Sequence, residues 1–222
     1  MTIAFIRHAE SANNTGDRQD EKEDTLTEKG EAQASALGAW WRSQRPVADS
    51  FYCSGYARAI RTLELAFPGK SYAQDSRLSE QDLGDFDRLE PALIAEAYEE
   101  YKKVYISDLD VVPPGGESVR QHQKRVAAYL SEHWDEWLRR QKDVVVVCHG
   151  GTMRLVRMWV ENIPDQEFSR FFNGCTDAMP NCQVIIYSNI DPTTAEAGED
   201  LGWTASFSPS PDEENGYPWT KI

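Results

Sequence analysis

Short apolar runs rich in β-branched residues alternate along this chain with longer segments of helical period, and the alternation predicts its elements. Ile3–Ile6 reads as a buried strand that stops abruptly at Arg7, His8 and Glu10. Ser50–Cys53 reads as a second strand, giving way to Ser54-Gly55-Tyr56-Ala57-Arg58. Asp143–Cys148 is a stronger one, giving way to His149-Gly150-Gly151-Thr152. Further strands are expected at Ser71–Ala73 and Gln183–Ser188, with a last edge strand at Trp203–Phe207.

Between them, Thr27 is a plausible N-cap for a helix to about Gln44, with Leu37, Trp40 and Trp41 on its apolar face and Pro46 as its stop. A helix from about Tyr56 to Phe67 ends at Pro68-Gly69. Another spans Glu90–Ile106, with Leu93, Ala97, Tyr101 and Tyr105 at helical spacing. Val119, His122, Val126, Tyr129 or Leu130, His133 and Trp137 mark a long amphipathic helix, in which both histidines read as packing residues. A helix runs from Gly151 to about Asn162, and a short one is expected at Phe168–Phe172. Thr15–Asp24 is polar and without period, hence a surface loop. Strands alternating with helices through local crossovers imply an α/β fold, a three-layer α/β/α sandwich with a mostly parallel central sheet.

Composition narrows the function classes. With 222 residues, 40% of them hydrophobic, the chain can build one sizeable core. A net charge of -14 argues against a nucleic-acid or anionic-membrane partner, which the summed field would repel. No apolar run approaches the ~20 residues of a membrane span, and the amino terminus reads as a strand, so a cytoplasmic protein is expected. From Asn189 onward seven acidic residues face a single lysine, which makes 191–222 an acidic C-terminal tail. Cys53, Cys148, Cys175 and Cys182 form no C-x-x-C pair, and no disulfide is assigned; only Cys175 and Cys182 are near each other in sequence.

In open α/β sheets ligands bind beyond the carboxyl ends of the strands, so Arg7, His8, Asn14, Arg58 and His149 are expected to converge. That set is rich in cations and N–H donors. Two guanidiniums match phosphate or carboxylate oxygens, and the turn at Gly150 adds amides at a helix start; phosphate fits best. Arg58 in a first helical turn opposes the helix dipole, which a bound anion would offset; a surface salt bridge is the plainer explanation. Arg61, a turn onward, reads as structural. A metal site built from His8, Glu10, Cys148 and His149 is the rival, weakened because Arg7 and Arg58 would stand beside the ion.

Arg7-His8-Ala9-Glu10-Ser11 followed by Asn14 resembles the R-H-G-E-[ST]-x-x-N signature of the histidine phosphatase (phosphoglycerate mutase-like) superfamily, with Ala9 in place of glycine. Leu26–Gly30 with Gln33-Ala34, Ser54–Thr62, Leu78–Gly84, Pro114–Ser118 and His149–Gly151 follow in that family's order. The resemblance covers roughly residues 1–190, implies the phosphoglycerate mutase-like fold, and makes 84–113 a helical cap insertion that tunes substrate choice. It implies a phosphatase that hydrolyses phosphomonoesters through a phosphohistidine on His8. Arg7, Asn14, Arg58, His149 and the Gly150 amide would then hold the phosphoryl oxygens, with no metal and no cofactor. Among Glu80, Asp82 and Asp85, which spacing leaves open, the resemblance selects Glu80 as proton donor; Ser79 stands where the family often has Arg. The expected partner is a small phosphorylated substrate. The alternatives are a cofactor-dependent phosphoglycerate mutase and a non-catalytic phosphate or phosphopeptide binder, the latter at odds with the presence of both nucleophile and acid. Against the mutase, Arg88, Lys102 and Lys103 are the only cations between Glu80 and Gly115.

Overall fold

The computed structural model describes residues 1–16, 20–44, 48–89, 96, 99, 103–104, 107–168, 179–209 and 219–222. Four strands carry the parallel half of the sheet: β1 (Thr2–Arg7), β2 (Ser50–Cys53), β3 (Ala73–Gln74) and β4 (Val144–Cys148). Beyond β1 lie β5 (Val184–Ser188), β6 (Trp203–Phe207) and β7 (Thr220–Lys221), in the order β3-β2-β4-β1-β5-β6-β7. β1, β2, β3 and β4 pair in parallel, whereas β5, β6 and β7 add antiparallel. The sheet is therefore mixed, with β1 to β4 and β6 running one way and β5 and β7 the other.

Side-chain alternation divides the central strands between two cores. Ile3, Phe5, Val144, Val146, Ile185 and Tyr187 face one side; Ala4, Ile6, Val145, Val147, Val184 and Ile186 face the other. The first face is covered by α4 (Val119–Arg139) and α5 (Gly150–Val160), the second by α2 (Glu28–Gln44) and α3 (Ala57–Ala66). This is the α/β sandwich expected from the sequence. A one-turn helix α1 (Ala12–Thr15) follows the first strand.

Local chemistry fixes the helix starts. Thr27 Oγ1 accepts the Gly30 N–H at 3.0 Å, capping α2, and Ser118 and Gln121 close a reciprocal capping box on α4. Gly30 permits a close crossing: a Cβ there would lie 1.9 Å from the Glu10 carbonyl oxygen, so α2 packs directly on the loop after β1. On α4, His122 is buried and His133 stacks on Trp137 at 5.6 Å, the packing roles expected of both.

Several expectations shift. The third strand is Ala73–Gln74 instead of Ser71–Ala73, displaced toward Asp75, whose carboxylate is taken by Arg77. Trp203–Phe207 forms a strand as its pattern predicts, but β7 pairs along its outer side, so it is not the edge. The segment read as an acidic tail thus gives the sheet two strands. The expected helices at Glu90–Ile106 and Phe168–Phe172 lie mostly outside the described residues, as does Cys175; Cys182 is a buried free thiol. No helix among the described residues is long and apolar enough to cross a membrane.

Candidate active site

Three parallel strands end level. The register sets Arg7 beside Cys148 and Cys53 beside Val147, so His8, His149 and Ser54 leave the sheet at one edge. The ladder continues one step past the strands, with His8 N–H on the Cys148 carbonyl at 3.0 Å and Ser54 N–H on the Val147 carbonyl at 3.1 Å. Residues far apart in sequence are thereby brought together by strand geometry alone.

His8 is 3% exposed and its ring is fixed at both nitrogens. Nδ1 lies 2.7 Å from the Ala9 carbonyl, which can only accept, so Nδ1 carries the proton. Nε2 is left with its lone pair and accepts Arg58 Nε at 3.2 Å. Burial first, then Arg58 and Arg7, hold the imidazole well below its ordinary pKa. His149, fully buried, lies 5.1 Å away ring to ring, and burial with Arg58, His8 and Arg7 depresses it likewise. Its Nε2 meets Ser54 Oγ at 2.7 Å, while its Nδ1 and Arg7 Nε are buried with no hydrogen-bond partner. Arg7 Nη1 donates to the Met179 carbonyl, and desolvation lowers the guanidinium's pKa.

Arg58 departs from expectation. The residue is 4% exposed, and its guanidinium pairs with Glu21 at 2.8 Å and with Asp24, itself fully buried, at 3.3 Å. It also donates to the Glu21 carbonyl at 2.6 Å. The dipole clash in the first turn of α3 is thus offset by carboxylates of the chain itself, in a buried network instead of a surface bridge. The loop read as solvated supplies them; of its cations, Lys22 is exposed and Arg18 lies outside the described residues. Arg61 pairs with Glu31 on the surface, a structural role.

Glu80 sits against the start of α5. One carboxylate oxygen accepts Gly151 N–H at 2.9 Å, the other Gln81 N–H at 3.0 Å. Asp82 accepts Gly84 N–H and is exposed, and Asp85 lies against Gly115, so neither rival shares that position. Gly150 abuts Arg7, where an added Cβ would stand 3.6 Å from Nε. Asn14 is tied in through Asn181, whose Nδ2 donates to the His8 carbonyl at 3.1 Å and to Asn14 Oδ1 at 2.9 Å. With its oxygen so engaged, Asn14 has its amide donors left to offer.

Beside Glu80 opens a cavity of about 380 Å³ lined by Lys22, Tyr56, Ser79, Asp82 and Arg125. Tyr56 packs on His149 at 5.1 Å, and burial pushes its phenol up to about 12. A larger cavity of about 950 Å³ lies between α4 and α5 near Trp134, Met158 and Leu201, away from the histidines and their arginines. Volume is a weaker guide here than the buried imidazoles and the buried polar atoms without partners. The metal-site alternative finds no gathered donors: Glu10 turns to Thr27 and Lys29, and among the described residues no three His, Cys, Asp or Glu side chains cluster suitably.

Sequence reasoning missed Ser54, Glu21, Asp24 and Arg125. Ser54 opens a motif block and had a signal. The acidic pair had none, because a polar loop looks alike whether its charges face water or a buried arginine.

Residues 3–188 match the sequence model of the histidine phosphatase superfamily, branch 1. A 2,3-bisphosphoglycerate-dependent phosphoglycerate mutase of Brucella melitensis is 31% identical over 206 residues, spanning 87% of this chain and 95% of that protein. Among solved structures, a mycobacterial glucosyl-3-phosphoglycerate phosphatase in complex with VO3 superposes with a TM-score of 0.67 at 25% identity, covering 84% of this chain and 92% of that one. A phosphoserine phosphatase variant from Entamoeba histolytica shares the fold, with a TM-score of 0.64 at 19% identity over 85% of this chain and 90% of that one.

Proposed function

The chain belongs to the histidine phosphatase superfamily, and from that premise we propose that it hydrolyses small phosphomonoesters through a covalent phosphohistidine on His8. The observation that carries this reading is a buried, neutral imidazole whose Nε2 lone pair faces Arg58, beside two buried polar atoms without partners, Arg7 Nε and His149 Nδ1. Buried polar atoms without partners are costly; a phosphoryl oxygen would accept the Arg7 Nε–H, and the imidazole of His149 as well when its proton sits on Nδ1 and Ser54 donates to Nε2.

In the first step Nε2 attacks phosphorus and the bond to the leaving oxygen breaks, with Glu80 supplying the proton that oxygen takes up. Arg7, Arg58, His149, Asn14 and the Gly150 amide bind the remaining oxygens and neutralise the charge that gathers there. In the second step Glu80 takes a proton from water, the hydroxide attacks phosphorus, and the N–P bond breaks to release inorganic phosphate. Arg58 must lend its Nε–H to the substrate as Nε2 attacks; Glu21 and Asp24 hold the guanidinium in place meanwhile. We take 1–190 as the catalytic unit, 84–113 as its cap, 191–222 as an acidic C-terminal extension and the cytoplasm as the compartment, with no metal needed.

The mutase is the second reading, favoured by the 31% identical relative. Both share the phosphohistidine and differ in what accepts the phosphoryl group. A mutase must grip a carboxylate-bearing acceptor with fixed cations. Hydrolysis is supported by the walls of the cavity beside Glu80, where Arg125 is already paired with Glu117 and, among the described residues, Lys22 is the remaining cation against Glu80 and Asp82. The deciding assay incubates the enzyme with 3-phosphoglycerate and catalytic bisphosphoglycerate, and separately with p-nitrophenyl phosphate, before and after chelation. Phosphate release from the aryl ester with negligible 2-phosphoglycerate is expected, unaffected by the chelator. Rapid isomerisation with little free phosphate would reverse the choice. His8→Ala should remain folded and lose the acid-labile phosphoenzyme; full turnover by that variant would end the phosphohistidine mechanism.

A further inference from the structure

Every N–H of the Arg125 guanidinium is engaged, and most of them hold the segment that carries Glu80. From the middle of α4, Nη1 donates to the carbonyls of Arg77 and Ser79, each at 2.8 Å, and Nη2 donates to the Glu80 carbonyl at 2.9 Å. The remaining donors go to Glu117, with Nε at 3.1 Å from one carboxylate oxygen. Glu117 is in turn fixed to the next stretch of the same loop, since its carboxylate accepts Asp82 N–H at 3.2 Å and its own N–H donates to the Asp82 carbonyl at 2.9 Å. From the other side, Thr152 Oγ1 on α5 donates to the Ser79 carbonyl at 2.9 Å and meets His122 Nε2 at 3.1 Å.

We infer that Arg125 is a positioning residue for Glu80, acting with Glu117 to hold residues 77–82 so that the Glu80 carboxyl meets the start of α5. This rests on the reading of Glu80 as the proton donor. The physical case is donor count and planarity. Three carbonyls and a carboxylate converge on one rigid fork, which a lysine with three donors on a flexible stem cannot reproduce. The loop needs such a fixture. Residues 79–83 belong to no helix or strand, and the acid works only if its oxygen stays within about an ångström of its productive position. Arg125 also lines the cavity beside Glu80, so the fixture and the leaving-group side of the site are continuous.

The test is a double-mutant cycle between Arg125→Lys and Glu80→Gln, read on an alkyl phosphate and on p-nitrophenyl phosphate. Arg125→Lys should lower the rate of phosphoenzyme formation from the alkyl ester, read as kcat/KM, by roughly tenfold or more, while sparing kcat/KM for the aryl ester, whose leaving oxygen needs no proton. In the Glu80→Gln background the same substitution should have no further effect. Circular dichroism confirms that each variant is folded. Should Arg125→Lys not fold, Glu117→Gln, which removes the charge anchoring the guanidinium, takes its place in the cycle. Equal losses on both esters, or a loss that persists in Glu80→Gln, would make the role merely structural and overturn the inference. If Glu80→Gln itself fails to discriminate the two esters, the assignment of the acid falls instead, which separates the two failures.

Discussion

Gly151→Ala isolates the acid from the rest of the site. An added Cβ would stand 2.3 Å from Glu80 Oε1, where ordinary contact begins near 3.4 Å, so the carboxylate must retreat by about 1.1 Å. The obstructing atom is the far end of a side chain and can move, so the fold should survive. Alanine is better than glycine in a helix by up to about 1 kcal/mol, which offsets part of the lost 2.9 Å hydrogen bond from Gly151 N–H. Tm should therefore change by less than about 4 °C. Catalysis should not be so forgiving. Displacing a positioned group by an ångström costs about 100-fold, which sets the expected fall in kcat/KM, the measure of phosphoenzyme formation, for alkyl phosphates. For p-nitrophenyl phosphate, whose leaving group departs without protonation, the fall in kcat/KM should stay within about threefold. Paired kcat and KM values for the two esters, with thermal unfolding as the control, give the answer. A uniform loss on both substrates, or none, would refute the argument that the Gly151 contact aims Glu80.

Stability should fall on mild acidification. His8, His122 and His149 are all held well below their ordinary pKa, mainly by burial, so each stays neutral in the native state while its unfolded counterpart takes a proton below about pH 6.5. The unfolded chain then binds more protons, and stability is lost as pH drops, by about 1.4 kcal/mol per histidine and about 4 kcal/mol in all between pH 7.5 and 5.5. Urea titrations across that range measure it; a flat profile would mean the imidazoles titrate natively. Asp24→Asn removes a fully buried charge from Arg58 and should destabilise by about 3 kcal/mol, or roughly 6–12 °C in Tm. A change under about 1 kcal/mol would mean that Glu21 alone suffices for the guanidinium.

What the sequence determined by itself is local and periodic. Runs such as Val144–Cys148 and Ile3–Ile6 could only be strands buried on both faces, and the stripe from Val119 to Trp137 could only be one side of a long helix. Because ligands gather at strand ends in such sheets, Arg7, His8, Asn14, Arg58 and His149 were already legible as one site, and the resemblance carried by the ordered motif blocks singled out Glu80 from its acidic neighbours. Tertiary structure alone decided the rest. Nothing near Arg58 in sequence announces that its carboxylate partners are Glu21 and Asp24, and nothing in the α4 stripe marks Arg125 as the holder of a loop some 45 residues earlier. The same holds for the antiparallel addition of β5, β6 and β7, which draws in a segment whose composition resembled a free tail. Periodicity reports which side of an element meets apolar surroundings, a property of neighbours along the chain. A buried charge is stable only against a specific partner at hydrogen-bonding distance, and that partner is chosen by how the whole sheet closes.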